Sequence, residues 1–217
     1  MWKHAATTPS QEIEMTPKAE TQPSVSLRER ILSATDELFR KQGIRGVGVE
    51  AIAEAAGTNK MTLYRYFSSK DELIAEWLRG MIAQKDAEWD ELSAAYKGRP
   101  EEHLQEWSRR LAAKLADMEK RGSILHTVIA ELPEPEHPAR RIIQEYKRRE
   151  HRRVTRLCQE AGFQNANLAA NLFYLMLEGA TNCVQCVGTT QIGEHLVQLV
   201  DMMIENNRSG GRRRQPL

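Results

Sequence analysis

Apolar residues recur at helical spacing along most of the chain from Leu27 onward, and most of these stretches end near a glycine or a proline. In the first stretch, Ile31, Ala34 and Leu38 fall on one face of a helix. We find no strong alternation of apolar and polar residues of the kind that predicts a half-buried strand. The pattern predicts nine helices, at about 27–42, 49–56, 60–67, 69–96, 100–121, 123–131, 138–161, 166–187 and 191–206.

Several helix starts carry recognisable capping residues. Ser69-Lys70-Asp71-Glu72 has the spacing of a capping box, in which the serine and the glutamate bond to each other's backbone N–H groups. Asn59 is a predicted N-cap of the third helix. Pro138 suits the first position of the seventh helix, and His137 before it is a candidate cap.

Composition supports an all-α fold and narrows the functional classes. The chain has 217 residues, 28% of them charged and 41% hydrophobic, with a formal net charge of +1. Any DNA-binding face is therefore expected to be a local patch on a nearly neutral body. Three cysteines without framework spacing, and no apolar run of about 20 residues, predict a cytoplasmic protein outside the membrane. We find no nucleophile elbow, P-loop, dinucleotide fingerprint or metal-ligand spacing, so we expect neither an enzyme nor a cofactor or metal site.

Two short helices joined at Gly57, after a first helix of about four turns, give the outline of a helix-turn-helix. The third helix turns Leu63 and Phe67 inward and leaves polar and aromatic residues outside. Lysine neutralises phosphate charge, hydroxyl groups donate to phosphate oxygens, and threonine or methionine can touch thymine methyl groups. Lys70, at the start of the fourth helix, is a candidate phosphate ligand.

The stretch IAEAAGTNKMTLYRYFSSKDEL (52–73) resembles the DNA-binding signature of the tetracycline-repressor (TetR) family. It matches that signature at Ile52, Ala53, Ala56, Gly57, Thr62, Leu63, Tyr64, Tyr66, Phe67, Lys70 and Leu73. RERILSATDELFRKQG (28–43) is similar to the family's first helix. The resemblance implies DNA contacts from Arg28, Asn59, Lys60, Met61, Thr62, Tyr64, Arg65, Tyr66 and Lys70.

The resemblance also implies four regions and a mechanism. We expect a disordered arm at 1–25, a helix-turn-helix domain at 26–72, an effector-binding and dimerisation domain at 73–207, and a basic disordered tail at 208–217. A homodimer would place two recognition helices in successive major grooves of a palindromic operator. A small-molecule effector would release this repressor by favouring a different helix separation.

The last two helices would form the dimer, and helices four to eight the ligand pocket. Candidate interface residues are Leu196, Leu199, Val200, Met203 and Cys183. Candidate pocket residues are Trp107, Leu111, Met118, Leu125, Ile129, Tyr146, Phe173 and Met176, with Glu131 and Asn182 as further polar candidates. For each pocket candidate taken alone, a plain core residue is the favoured interpretation.

The sequence departs from the family before the second helix, where Val47 and Gly48 replace a frequent threonine or serine. Glu50 would repel phosphate unless it accepts from a cytosine amine. The pair Cys183 and Cys186 is open to two interpretations, a redox or metal site or small residues at an interface. The basic run at 147–153 is either a nucleic-acid patch or a solvated helix face. Control by a protein partner or by redox state also remains open.

Overall fold

The computed structural model describes residues 25–121, 123–132, 134–188 and 191–210, with no side chains described at 117–121, 187 and 208–210. Within these residues the chain folds into nine α-helices and no strand, which confirms the predicted all-α class. Apart from Val25, the predicted arm lies outside the described residues, as does the tail from 211 onward. The helices are α1 Leu27–Gln42, α2 Val49–Ala55, α3 Lys60–Tyr66, α4 Lys70–Ala95, α5 Pro100–Arg121, α6 Ile124–Glu131, α7 Pro138–Glu160, α8 Ala166–Val187 and α9 Ile192–Gly210.

Helix α9 continues to Gly210, so it includes the first three residues of the predicted tail. Apolar periodicity marks where a helix needs to pack, and on α9 the last fully buried apolar residue is Ile204. The polar turns beyond it leave no such pattern. None of the described helices is long and apolar enough to cross a membrane.

The capping pattern at α4 differs from the prediction. Ser69 Oγ accepts from the Glu72 N–H at 3.1 Å, but the Glu72 carboxylate bonds to the backbone and hydroxyl of Ser68 instead of returning to Ser69. The reciprocal capping box lies at α1, between Ser26 and Glu29. Asn59 caps α3 as predicted, and His137 Nδ1 accepts from the Ala139 N–H at the start of α7.

Two apolar clusters hold the helices together. The first joins α1, α2 and α3 to the N-terminal half of α4, and it continues without a break into α6 and the start of α7 through Leu125, Val128 and Ile143. The second is built by α5, α7, α8 and α9 around Phe173 and Val200. The N-terminal helices therefore share one core with α6 and α7.

The end of α6 is docked on the loop between α1 and α2. Glu131 Oε2 accepts from the backbone N–H of Arg45 at 2.8 Å. Gly43, whose φ is +74°, leaves room for the same carboxylate, since a Cβ on this glycine would lie 2.5 Å from Glu131 Oε1. Glu131 is thus a link to the N-terminal helices rather than the pocket residue proposed from the sequence.

We predict that Gly43→Ala lowers the free energy of unfolding by about 2–4 kcal/mol, because it adds a steric collision to an unfavourable positive φ. Gly98→Ala is the matched control, since Gly98 has a φ of +73° and no atom near its virtual Cβ. This control should cost about 1–2 kcal/mol. Denaturant unfolding measures both.

In a Glu131→Ala background, the cost of Gly43→Ala should fall to that of the control. An unchanged cost in that background would show that the glycine is required for its backbone conformation alone.

Candidate nucleic-acid interface and ligand cavity

Helix α3 is short, and it is fixed by the two residues beneath it. Leu63 and Phe67 are fully buried in the first apolar cluster. Gly57, with a φ of +68°, makes the turn from α2, and the Thr58 N–H bonds back to the Ala53 carbonyl at 2.9 Å. Asn59 Oδ1 then accepts from the Thr62 N–H at 2.9 Å and starts the helix. These contacts set the direction of a seven-residue helix that could not be stable alone.

The outer face of α3 carries exposed side chains of mixed chemistry. Met61 is 80% exposed, Tyr64 39% and Tyr66 45%. Lys60 and Arg65 are exposed beside them, and Asn59 and Thr62 complete the predicted set, with Thr62 partly buried. An anchored helix with cations, hydroxyl groups and an apolar tip facing water has the donors and contacts that base edges and phosphates require.

An ion pair links this face to α2. Lys60 Nζ lies 2.6 Å from Glu50 Oε1, and both side chains are well exposed. The hydrogen bond lowers the pKa of Glu50 and raises that of Lys60, so both groups stay charged. The sequence indicated that Glu50 would repel phosphate, but it missed the pairing, which offsets part of the Lys60 charge.

Lys70 lies at the start of α4, as the sequence predicted, but it is bonded within the protein. Its ammonium donates to the carbonyl oxygens of Ile44 at 2.7 Å and Val47 at 2.6 Å, and it lies over the Phe39 ring. Burial lowers the pKa of this lysine. Two of its three protons are therefore used to close the loop between α1 and α2, whose carbonyls would otherwise lack partners.

Arg28 is also engaged within the protein. Its guanidinium pairs with Glu76 on α4 and lies 5.4 Å from the centre of the Phe67 ring. It therefore packs at the junction of α1, α3 and α4, with part of its side chain still open to solvent.

The basic run on α7 is largely occupied by partners on other helices. Arg149 and Arg153 both bind Asp86 of α4, and Lys147 binds Glu178 of α8. Cations paired in this way have little charge left for a phosphate backbone, which favours the structural interpretation of this run.

A cavity of about 800 Å³ lies among α4, α5, α7 and α8, with α1 and α6 at its end. Four predicted pocket residues line it: Trp107, Leu111, Leu125 and Tyr146. Ile129, Phe173 and Met176 are not among the lining residues. They pack in the two apolar clusters. The Met118 side chain lies outside the described residues.

The sequence missed Trp89, whose ring centre lies 4.2 Å from that of Trp107 at the cavity wall. Its helical spacing from the other apolar residues of α4 could have identified Trp89 as a candidate wall residue. The sequence also gave no sign of the charged residues in the wall, because charged residues on long helices usually face solvent.

A network of hydrogen bonds forms one side of the cavity. Tyr146 donates to Glu150 at 2.9 Å, and Lys147 Nζ bridges Glu150 and Glu178 at 3.1 and 2.6 Å. His126 Nε2 lies 2.7 Å from the second oxygen of Glu178. Burial raises the pKa of Glu178, but His126 and Lys147 outweigh it and bring the pKa to about 2. The carboxylate is charged and fully partnered.

Of the predicted dimer residues on α9, three are buried within the single chain. Leu196, Val200 and Met203 pack in the second apolar cluster. Leu199 of the predicted set is exposed, as is Cys183. The exposed apolar strip on α8 and α9 consists of Leu168, Leu172, Leu175, Leu199 and Met202.

Cys183 and Cys186 are both free and exposed on α8. No group of three or more potential metal ligands occurs in the described part of the chain. The redox interpretation of this pair stays a hypothesis.

Comparisons with known proteins agree with this geometry. A model of the bacterial regulatory proteins of the tetR family matches residues 31–77, which cover α2, α3 and most of α1. The HTH-type transcriptional repressor KstR2 of Rhodococcus jostii is 32% identical over 79 residues, 36% of this chain and 39% of that protein. An uncharacterized HTH-type transcriptional regulator of Mycobacterium tuberculosis is 44% identical over 45 residues, 21% of this chain and 22% of that protein. The matches therefore span less than half of these two relatives.

Solved structures extend the likeness to the C-terminal helices. A putative TetR-type regulator of Streptomyces avermitilis superposes with a TM-score of 0.73 at 28% identity, covering 84% of this chain and 98% of that one. A TetR-family regulator of Streptomyces coelicolor gives a TM-score of 0.77 at 23% identity, covering 83% and 95%. The helix-turn-helix segment, residues 31–77, therefore belongs to the tetR family of bacterial regulatory proteins, and the fold agrees with solved structures of such regulators along most of the chain.

Proposed function

We propose that the protein is a sequence-specific DNA-binding transcriptional regulator, and that it acts as a repressor in the bacterial cytoplasm, where the chromosome lies. The observation that carries this proposal is α3, a helix anchored by Leu63 and Phe67 that exposes Met61, Tyr64 and Tyr66. Relatives that match this segment include proteins named as transcriptional repressors.

We propose that Met61 and Thr62 read base edges, while Tyr64, Tyr66, Arg65 and Lys60 contact phosphates. The exposed thioether of Met61 suits a thymine methyl group, and Thr62 can hydrogen-bond to a base. Asn59 caps the helix and Arg28 supports it from behind. In this arrangement one α3 helix reads the bases of one half-site, and the phosphate contacts fix its position on the duplex.

We propose a homodimer that joins through α8 and α9. The strip of Leu168, Leu172, Leu175, Leu199 and Met202 is exposed in the single chain, and water contact with so many large apolar side chains is unfavourable. A twofold axis through this strip would present two α3 helices to a palindrome, with half-site centres roughly 34–36 Å apart.

We propose that a small molecule in the cavity weakens DNA binding. The cavity lies against residues of the first apolar cluster, including Leu125, and that cluster also holds α3. Glu131 adds a direct hydrogen bond from the end of α6 to the loop before α2. A ligand that favours one arrangement of α4 and α6 would change DNA affinity by its difference in affinity for the two arrangements, often about 1–3 kcal/mol.

Enrichment of random duplex DNA on the purified protein, at moderate salt, tests the function. We expect a palindrome with two half-sites, and we expect Met61→Ala to change the preferred base at one position of each half-site. A folded dimer that enriches no sequence would contradict the proposal. A motif without twofold symmetry would contradict the dimeric arrangement.

We predict that Glu50→Gln strengthens binding to specific and random DNA by about two- to fivefold at low salt, since it frees Lys60 and removes a negative charge. Fluorescence anisotropy with labelled duplexes measures this. Glu37→Gln is the matched control, because Glu37 forms a similar exposed pair with Lys41 on α1. Weaker binding by Glu50→Gln would instead show that Glu50 accepts a hydrogen bond from the DNA.

We predict that Lys70→Met destabilises the fold by about 1–3 kcal/mol, since two loop carbonyls lose their donor. The slope of log affinity against log salt should stay unchanged in this variant. The control Lys60→Met should make that slope shallower by about one unit with little loss of stability. If Lys70→Met made the slope of log affinity against log salt shallower and left the free energy of unfolding unchanged, Lys70 would be a phosphate ligand instead.

We predict that Leu172→Glu and Leu175→Glu convert the dimer to monomer at micromolar concentration, because each buries a charge in the proposed interface. Analytical ultracentrifugation measures the mass, and circular dichroism checks that the helices persist. Val25→Glu, at another exposed apolar residue, should leave the dimer intact. Dimers that survive both leucine changes would place the interface elsewhere.

A further inference from the structure

The carboxylates of the cavity wall all have donors. Asp36 accepts from Arg40 and from the Trp77 indole. Glu88 binds Lys114 at 2.6 Å. The remaining two are Glu150 and Glu178, whose donors are Tyr146, Lys147 and His126. None of these groups has an obvious vacancy for a cationic ligand.

The cations of the described cavity wall, unlike its carboxylates, are not all paired. Arg40, Lys114 and Lys147 are paired with the carboxylates just described. Arg110 reaches Glu106 and Glu91 at 3.4 and 3.5 Å. Lys85, in the middle of α4, lines the cavity, and among the described residues it makes no hydrogen bond and no ion pair within 4.0 Å.

The position of Lys85 is unfavourable for a charged group without a partner. Burial lowers the pKa of its ammonium, the carboxylates of Glu150 and Glu88 raise it from a distance, and the positive charges of Lys114 and Lys147 lower it further. An ammonium that is partly removed from bulk water and has no acceptor among the described residues destabilises the fold, unless something else binds it.

The rest of the lining suits an apolar molecule. Trp89 and Trp107 meet edge to face, and Leu92, Leu111 and Leu177 lie around them. The volume of about 800 Å³ falls within the range of ligand pockets, roughly 300–1,000 Å³. Among the described residues, such a cavity combines an aromatic and aliphatic wall with one positive charge that has no acceptor.

We propose that the effector is an amphipathic organic acid, whose carboxylate binds Lys85 Nζ and whose apolar body packs against Trp89 and Trp107. The proposal deepens the proposed function, on which its regulatory meaning rests. Binding itself needs no DNA. An acid replaces the missing acceptor of Lys85, whereas an amine of the same shape meets an unpaired cation and carboxylates that already have donors.

Calorimetric titration of the full chain with two probe series tests the proposal. The first series is decanoate, decanol and decylamine, and the second is 1-naphthylacetate with its alcohol and amine analogues. We expect at least one acid to bind at least tenfold more tightly than its alcohol, as a charge-assisted hydrogen bond allows, and the matching amine to bind most weakly. Equal affinity within both series, or no binding by either acid, would overturn the proposal.

Lys85→Met separates recognition from packing, because methionine keeps the length and apolar stem of lysine. The tighter-binding acid should lose its advantage over the alcohol, while the affinity for the alcohol stays within about twofold. Lys97→Met, an exposed lysine beyond the end of α4, is the control for net charge and should bind as the wild type does. An acid preference that survives Lys85→Met would overturn the assignment.

Thermal unfolding without ligand gives an independent readout. Lys85→Met should raise the melting temperature, since it removes an unpaired buried charge, even though it loses acid binding. A lower melting temperature would show a structural role for Lys85 and would contradict its place in ligand binding.

Measuring DNA affinity with and without the acid separates ligand recognition by Lys85 from the proposed regulation of DNA binding. If the acid binds through Lys85 but does not weaken the complex with the enriched duplex, the effector mechanism fails while the ligand assignment stands. If the protein enriches no DNA at all, the calorimetric result still decides whether Lys85 selects an acid.

Discussion

The burial of Leu63 and Phe67 beneath α3 is the constraint on which the candidate interface depends. A helix of seven residues has too few internal hydrogen bonds to persist in water, so its structure and its direction come from these two side chains and from the Asn59 cap. Both side chains lie in a cluster that also contains residues of α4, α6 and α7. Any movement of those helices against one another therefore changes the support of the exposed face.

That shared cluster is the physical connection that the proposed effector mechanism requires between two chemically different regions. The outer face of α3 is exposed and mixed in charge, whereas the cavity is partly open and is lined by aromatic rings and mostly paired ions. Leu125 belongs to both the cavity wall and the first cluster, and Glu131, at the other end of α6, binds the backbone of Arg45. Because α6 touches both regions, a ligand and a DNA duplex would favour or oppose the same arrangements of this helix.

The sequence predicted what local patterns determine and missed what distant partners determine. The nine helices, the Asn59 cap and the buried pair in α3 follow from periodicity and from residue types near helix ends. The bonds from Lys70 to the loop could not be predicted, because its acceptors, Ile44 and Val47, lie 26 and 23 residues earlier in the chain. The sequence also could not decide which apolar residues of α9 pack within the single chain. This helix carries apolar residues over more than one face, and only the packing against neighbouring helices shows which of them is covered.

The cavity also depends on contacts between residues that lie far apart in the sequence. Trp107 and Leu111 could be named from their helical spacing, but the partners of Lys147 and Arg153 lie on other helices, 31 and 67 residues away. A sequence shows such residues as a charged run, and only the fold shows that most of them are paired. Lys85 differs from them because no described residue pairs with it, and no local sequence pattern records that difference.

Oxidative footprinting with hydroxyl radicals, with and without duplex DNA, tests the central claim that α3 is the element that contacts DNA. Met61, Tyr64 and Tyr66 are exposed and carry side chains that react readily. Tyr96, at the far end of α4, is partly exposed and provides an internal reference outside both α3 and the proposed dimer interface. We predict that DNA protects the three α3 residues while Tyr96 reacts at the same rate. Protection along the basic run of α7, with α3 unchanged, would contradict it.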